Sequence, residues 1–118
     1  MNRLINQFDY IAIIGPTATG KTQLAVQLAH KLIGEIISAD SRQVYRGMDI
    51  GTGKDLSEYN YKGVSIPHHL IDIVAPIEGY NVAQFQIDFQ RVYSDIKERG
   101  KLPILCGGTG LYIKAVLM

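Results

Sequence analysis

The sequence predicts an α/β fold in which parallel strands are layered against helices. Three observations predict it. Short apolar runs of strand length end in glycine turns. Stretches with apolar residues at helical spacing lie between those runs. The two kinds then alternate as strand, helix, strand, helix, strand, helix, the order that parallel strands joined by right-handed crossovers require.

Each element has its own grounds. Tyr10 to Ile14 (YIAII) is apolar on both faces and stops at Gly15-Pro16, so it reads as a central parallel strand buried from both sides. From Lys21 the pattern turns helical, with Leu24, Ala25, Leu28, Ala29 and Leu32 on one stripe and Gly34 as the stop. Glu35 to Ser38 is a second short strand, and residues 40–63 are polar and glycine-rich, a long working loop. Val64 to Val74 has room for a short edge strand interrupted by Pro67. Asn81 opens the clearest helix: Val82, Phe85, Phe89, Val92, Tyr93 and Ile96 recur at helical spacing. Asn81 caps it with Gln84 three residues on, and Gly100 closes it. Leu102 to Cys106 (LPILC) is a third buried strand halted by Gly107-Gly108, and Thr109 to Met118 begins another helix. The last residues, Ala115 to Met118, are apolar and uncapped, which leads us to expect the amino-terminal part of a longer chain or a covering partner.

Composition narrows the function. The 118 residues are 47% hydrophobic and 19% charged, with a net charge of +1. That is a small globular domain, and its charge is too balanced to hold a polyanion by bulk attraction; a local site is needed. A single cysteine, Cys106, excludes an internal disulfide and a thiolate zinc cluster. No apolar run reaches the ~18 residues of a membrane span, and Met1 to Asp9 has no signal-peptide order. We therefore expect a cytoplasmic protein without a membrane partner; the oligomeric state is not legible.

The strongest motif is Gly15-Pro16-Thr17-Ala18-Thr19-Gly20-Lys21-Thr22, which matches G-x-x-x-x-G-K-[ST] between a strand and a helix. Such a loop curls its backbone N–H groups into one concavity, with the dipole of the following helix aimed there. Lys21 supplies a mobile charge for phosphate oxygens, and the Thr22 hydroxyl suits Mg²⁺. This is a di- or triphosphate site. Gly51-Thr52-Gly53-Lys54 is not a second one: no glycine stands five residues before Gly53, and Asp55 replaces the hydroxyl residue. Gly107-Gly108-Thr109-Gly110 is equally a ligand-facing turn or a plain strand-to-helix turn.

The carboxylate just past a short apolar strand is Asp40, in Ile36-Ile37-Ser38-Ala39-Asp40. Parallel strands end on the edge that carries the phosphate loop, so Asp40 is expected to face the phosphates. A general base and an indirect contact to the metal are both open to it, as is a simple turn cap. The run Asp40-Ser41-Arg42-Gln43-Val44-Tyr45-Arg46 mixes groups suited to a base and a nucleic-acid backbone.

Four ordered motifs, GPTATGKT, SADSRQVYRGMDIGTGK, HHLIDI and GGTGLYIKA, closely resemble those of the tRNA dimethylallyltransferases. The resemblance covers almost the whole chain. It implies a P-loop NTPase-like three-layer fold, incomplete at the carboxy-terminal side of residues 1–118. It also implies transfer of a dimethylallyl group from dimethylallyl diphosphate to N6 of adenosine 37 in the tRNA anticodon loop. By that resemblance Asp40 is the general base and Thr17 helps to hold the amine. Residues 15–22 hold the diphosphate, with Thr22 at Mg²⁺, and Asp40, Ser41, Arg42, Gln43 and Thr109 contact tRNA. Family chains continue into further strands, a helical insertion that clasps the anticodon stem and a later Arg near the diphosphate, none of them present here. The 118 residues alone are therefore expected to bind diphosphate weakly and to show little activity.

Other readings compete. A phosphate-loop small-molecule kinase would use Asp40 as base toward a hydroxyl; an adenylate prenyltransferase would share the loop and the base; an inactive binding module would keep the loop as a fold element. His68 and His69, adjacent on a strand, point to opposite faces and are expected to be structural, although with Asp72 they offer a polar patch. Tyr80, Phe85, Phe89 and Tyr93 read as core or near-core, and Cys106 as an inert small hydrophobe. Arg42, Arg46 and Lys54 are further candidates for RNA phosphates.

Overall fold

A computed structural model describes residues 10–14, 20–39, 59–71, 80–107 and 116. Along the chain run β1 (Ile11–Ile14), α1 (Lys21–Leu32), β2 (Gly34–Ser38), β3 (Asn60–Tyr61), β4 (Val64–Ser65), β5 (His68–His69), α2 (Val82–Glu98) and β6 (Leu102–Gly107). Four strands form one sheet in the order β1-β6-β2-β5, and every pairing is parallel. β3 and β4 form a separate antiparallel hairpin.

Strand alternation sorts the core into two layers. Ile36, Ile104 and Cys106 face one side of the sheet and pack with Ala25, Val26 and Ala29 of α1. Ile37 and Leu105 face the other and pack with Phe85, Phe89, Val92 and Ile96 of α2. The result is helix, sheet, helix. Between β1 and β2 the chain steps one way across β6; between β5 and β6 it steps back across β2. Opposite steps over opposite faces give both crossovers the same hand, as the chirality rule demands.

β6 is the middle of this arrangement. All six of its residues are buried, and it pairs with β1 on one side and β2 on the other. Pro103 gives up one ladder donor, but only at the second residue, where pairing is just beginning.

Several expectations shift. β1 stands at one end of the described sheet, half-buried, with Ile14 46% exposed. An apolar run reveals that a strand is covered, not its place in the strand order. On α1 the buried stripe is Ala25, Val26, Ala29 and Leu32, whereas Leu24 is 49% exposed. The stripe is rotated by about one residue from the one drawn by the leucines alone. The helix ends with Ile33 in the left-handed region (φ 57), and Gly34 is the first residue of β2. Gly34 is needed for another reason: a Cβ there would stand 2.6 Å from the Leu102 carbonyl oxygen.

α2 follows the sequence closely. The Asn81 side chain accepts from the Gln84 N–H at 2.9 Å while the Gln84 side chain accepts from the Asn81 N–H at 3.0 Å. Gly100 follows the helix at φ 75. Phe85 and Phe89 are buried, Tyr80 and Tyr93 pack against the same cluster, and Cys106 is buried in β6. The segment Val64 to Val74 contains β4 and β5, with β5 at the sheet's end beyond β2. The expected loop over 40–63 is described only from Tyr59, where the hairpin begins; the helix expected from Thr109 is described only at Val116, which is helical and packs on the α2 side. Among the described residues no helix is long and apolar enough to cross a membrane.

Gly34→Ala should lower stability by about 1–3 kcal/mol, because the clash is with backbone that side-chain rotation cannot relieve. Leu24→Ala should change it by less than about 0.5 kcal/mol. Urea unfolding of both variants checks this, and equal midpoints would contradict the packing described.

Candidate active site

Four strand ends share one rim. β1, β2, β5 and β6 end at Ile14, Ser38, His69 and Gly107, and parallel pairing sends all four carboxyl ends to the same edge of the sheet. Ile14 pairs with Gly107 and Ser38 with Cys106, so the three principal strands end within a residue of one another. With neighbouring strands about 4.8 Å apart, the ends of β1 and β2 stand about 10 Å apart across β6. β2 and β6 are tied at this rim: the Ala39 N–H donates to the Cys106 carbonyl at 2.9 Å, and a Cβ on Gly107 would lie 2.9 Å from that of Ala39.

The motif segments follow directly in sequence. Gly15 comes after Ile14, Asp40 after Ala39, Gly108 after Gly107. Of the candidate residues the structure describes Gly20, the backbone of Lys21, and Thr22. Gly15, Pro16, Thr17, Ala18, Thr19, Asp40, Ser41, Arg42, Gln43 and Thr109 lie outside the described residues, as do Arg46, Lys54, Asp72 and the Lys21 side chain.

Gly20 is the N-cap of α1, at φ 79 and ψ 15, a conformation that a side chain would strain. Its carbonyl accepts from the Leu24 N–H at 3.2 Å, and Lys21 and Thr22 begin the helix. Glycine brings no side-chain acceptor, and the first turn of α1 holds no carboxylate. The first-turn N–H groups of α1 have no partner within the helix, and they lie at the positive end of its dipole, with no carboxylate in that turn. His30 and Lys31 occupy the last turn, where cations suit the opposite pole. Thr22 is a half-buried hydroxyl in the first turn. Among the described residues no group of three or more His, Cys, Asp or Glu could hold a metal ion. The half-buried Thr22 hydroxyl, beside diphosphate oxygens, would fit Mg²⁺, which takes oxygen ligands.

The two histidines do face opposite sides. His68 stacks on Tyr59 with ring centroids 4.2 Å apart, and its Nδ1 donates to the Ile66 carbonyl at 3.1 Å. His69 Nε2 lies 2.7 Å from Glu35 Oε1. Glu35, the second residue of β2 and buried, also accepts from Arg99, whose Nη2 is 2.9 Å from Oε1 and whose Nη1 meets Oε2. Arg99 Nη2 further reaches Asp95 at 3.0 Å. Sequence reading missed this cluster, because 64 residues separate Glu35 from Arg99. The available signal was Glu35 itself, a charge inside an apolar strand, which demands a partner when buried. Arg99 hydrogen bonds hold the Glu35 carboxyl below its ordinary range, against burial and with help from His69. Glu35 lies toward the amino end of β2 and His69 at the carboxyl end of β5, and the cluster ties β2, β5 and the end of α2 together.

A family model for IPP transferase matches residues 43–118, and one for isopentenyl transferase matches residues 8–65. The chain belongs to the IPP transferase family. This IPP transferase chain is 64% identical over 113 residues to tRNA dimethylallyltransferase 1 of Parabacteroides distasonis, covering 96% of this chain and 37% of that protein. It is 63% identical over 109 residues to tRNA dimethylallyltransferase 1 of Geotalea uraniireducens, covering 92% of this chain and 35% of that protein. Among solved structures, the full-length tRNA isopentenylpyrophosphate transferase of Bacillus halodurans superposes with a TM-score of 0.82 at 55% identity, covering 91% of this chain and 34% of that one. A eukaryotic dimethylallyltransferase captured acting on tRNA gives 0.81 at 41% identity, over 90% and 26%. The IPP transferase chain thus spans 37% of the length of the first of these relatives, and its parallel sheet between two helical layers is the α/β phosphate-loop arrangement that the sequence predicts.

The depressed Glu35 pKa has a pH signature. The folded value lies below the ordinary one near 4.5, so the stabilisation is complete above that pH and is lost as pH falls through the folded value. Glu35→Gln should cost about 1–3 kcal/mol near neutrality, and the deficit should shrink on acidification below about pH 4. Thermal unfolding at several pH values reads this; a deficit that stays constant down to pH ~3 would remove Glu35 from the acid limb.

Proposed function

We propose that the whole protein transfers a dimethylallyl group from dimethylallyl diphosphate to N6 of the anticodon-loop adenosine, adenosine 37, of tRNA, releasing pyrophosphate. These residues would form its phosphate-loop core. The observation that carries the reading is the shared rim: α1 opens there on a glycine cap without a competing carboxylate, and the residue before Asp40 is hydrogen-bonded into the same edge. The activity for which the relatives are named supports the choice of substrate pair. A cytoplasmic enzyme acting on soluble tRNA agrees with it.

The chemistry asks for such a rim. Adenine N6 is a weak nucleophile because its lone pair is delocalised into the ring. Allylic diphosphates compensate by ionising readily when the departing charge is stabilised. The C–O bond breaks with its electron pair leaving on pyrophosphate, and the C–N bond forms from N6. The N6 proton would then pass to the Asp40 carboxylate as general base. Backbone N–H groups of the loop and of the first turn of α1, with Lys21, would hold the diphosphate oxygens, and Thr17 would help to orient the amine. Ser41, Arg42, Gln43 and Thr109 would hold the nucleotide, which must leave its stack at a cost of a few kcal/mol, least in a loop. Mg²⁺, held by Thr22 and the diphosphate, would add positive charge against the leaving group.

A phosphate-loop kinase would place the same Asp40 beside a hydroxyl and consume ATP. Incubating the whole protein with dimethylallyl diphosphate, Mg²⁺ and unmodified tRNA should add one five-carbon group to the adenosine, seen by mass spectrometry of the digested RNA. Asp40→Asn should lower kcat by about 10²–10⁴-fold with tRNA still bound. Transfer of phosphate from ATP to a small alcohol without RNA alkylation, or an Asp40→Asn enzyme at full rate, would overturn the reading.

A further inference from the structure

Outside the rim, two neighbouring described segments carry charge of one sign. Residues 20–33, which include α1, and residues 59–67, which include the β3–β4 hairpin, contain no Asp or Glu, yet carry Lys21, Lys31, Lys62 and His30. On the opposite face α2 mixes both signs, with Asp88, Asp95 and Glu98 among Arg91 and Lys97. For a chain of net charge +1, this is a segregation and not an overall excess.

The surface between these two segments is also concave. Between α1 and the hairpin lies a recess of about 480 Å³ lined by Gln27, His30, Lys31, Tyr61 and Lys62. A second recess of about 220 Å³ shares Gln27 and Tyr61 with it and extends to Gln23 and Asn60. Together they form one groove along the outer side of α1. From Gln23 to Lys31 the helix rises about 12 Å, so the groove begins in the turn that follows the phosphate loop and descends the helix from there.

The hairpin holds one of the two lysines in place. Lys62 and Gly63 both take positive φ, 51 and 78, the two-residue turn that joins Tyr61 to Val64. Positive φ is unfavourable for a lysine, whereas an asparagine would adopt it readily. The Lys62 ammonium lies 5.4 Å from the centroid of the Tyr61 ring, whose other neighbour is the His30 ring at 5.0 Å. The charge is therefore directed along the groove wall and loses less freedom on meeting an anion.

We propose that this groove is an accessory binding surface for the tRNA phosphate backbone, with Lys31 and Lys62 as its cations and Gln23, Gln27 and Asn60 as neutral hydrogen-bonding partners. The inference rests on the tRNA reading above and adds a contact away from the reacting base. Amide and ammonium groups without carboxylates suit a ribose-phosphate chain, where contacts position the RNA and carry no sequence information.

The test measures the binding of unmodified tRNA to the whole protein over a range of salt, for the unaltered protein and for Lys31→Gln combined with Lys62→Asn. Removing one phosphate-neutralising cation reduces the slope of log K against log[salt] by about 0.7–0.9, so the double variant should be shallower by about 1.4–1.8. KM for tRNA should rise several-fold, with kcat at saturating tRNA and the thermal midpoint unchanged. Lys31→Arg combined with Lys62→Arg, which keeps both charges, should retain the original slope. If the unaltered protein alkylates tRNA and the double variant keeps the full slope, the groove proposal fails and the prenyl-transfer reading stands. If the unaltered protein does not bind tRNA, both fall.

Discussion

The fold depends on the pairing of β6 with two partners. Leu102–Gly107 is inserted between β1 and β2, although it comes last of the three in sequence. Until it arrives, β1 and β2 have no ladder between them, and the α1 crossover spans an empty place. Two-sided parallel pairing and burial of all six residues make this strand the part that converts local elements into a sheet. It also fixes the distance between the phosphate-loop strand and the strand leading to Asp40. The site inherits its dimensions from backbone hydrogen bonds, which vary little, instead of from side-chain packing, which varies more.

The legible and illegible features divide by sequence distance. The Asn81–Gln84 capping box, the Phe85, Phe89, Val92 and Ile96 stripe and the extent of Leu102–Cys106 were readable because each is decided within a few residues. The same holds for the opposite facing of His68 and His69. What failed was relational. Tyr10 to Ile14 announced a covered strand but not its position beside β6, and the leucines of α1 misdirected the stripe because Val26, not Leu24, meets the sheet. Glu35 could be suspected of needing a partner, but Arg99 could not be named, since the pairing exists only after α2 has been laid antiparallel to β2. For the candidate site, the parallel-strand rule supplied the common rim in advance; the register, with Ile14 beside Gly107 and Ser38 beside Cys106, came from the structure.

Charge is arranged along the sheet's length. Around Glu35, the side chains of Arg99, Asp95 and His69 form a closed set in which each carboxylate has a cationic or hydrogen-bonding neighbour, so its field is largely cancelled a short distance away. At the carboxyl rim the opposite choice is made. α1 keeps carboxylates out of its first turn and places His30 and Lys31 at the far end, so no side chain of that turn offsets the positive pole of the helix. A salt-bridged first turn would have stabilised the free helix and weakened the site. Ion pairing is thus kept to Glu35, His69 and the end of α2, separate from the first turn of α1, which carries no carboxylate.

That separation also bears on the balanced net charge. An enzyme that grips RNA only by bulk positive charge would hold every RNA alike and release product slowly in low salt. Among the described residues, α1 and the hairpin tip carry Lys31 and Lys62 without an acidic residue of their own, whereas α2 on the opposite face carries its own counter-ions. A polyanion approaching from the α2 side meets a nearly neutral surface, and one approaching from the α1 side meets Lys31 and Lys62. On the groove proposal, the direction of approach, not the total charge, would bring a phosphate chain in along α1. Steering of this kind needs only segregation of sign, which a chain of net charge +1 can supply.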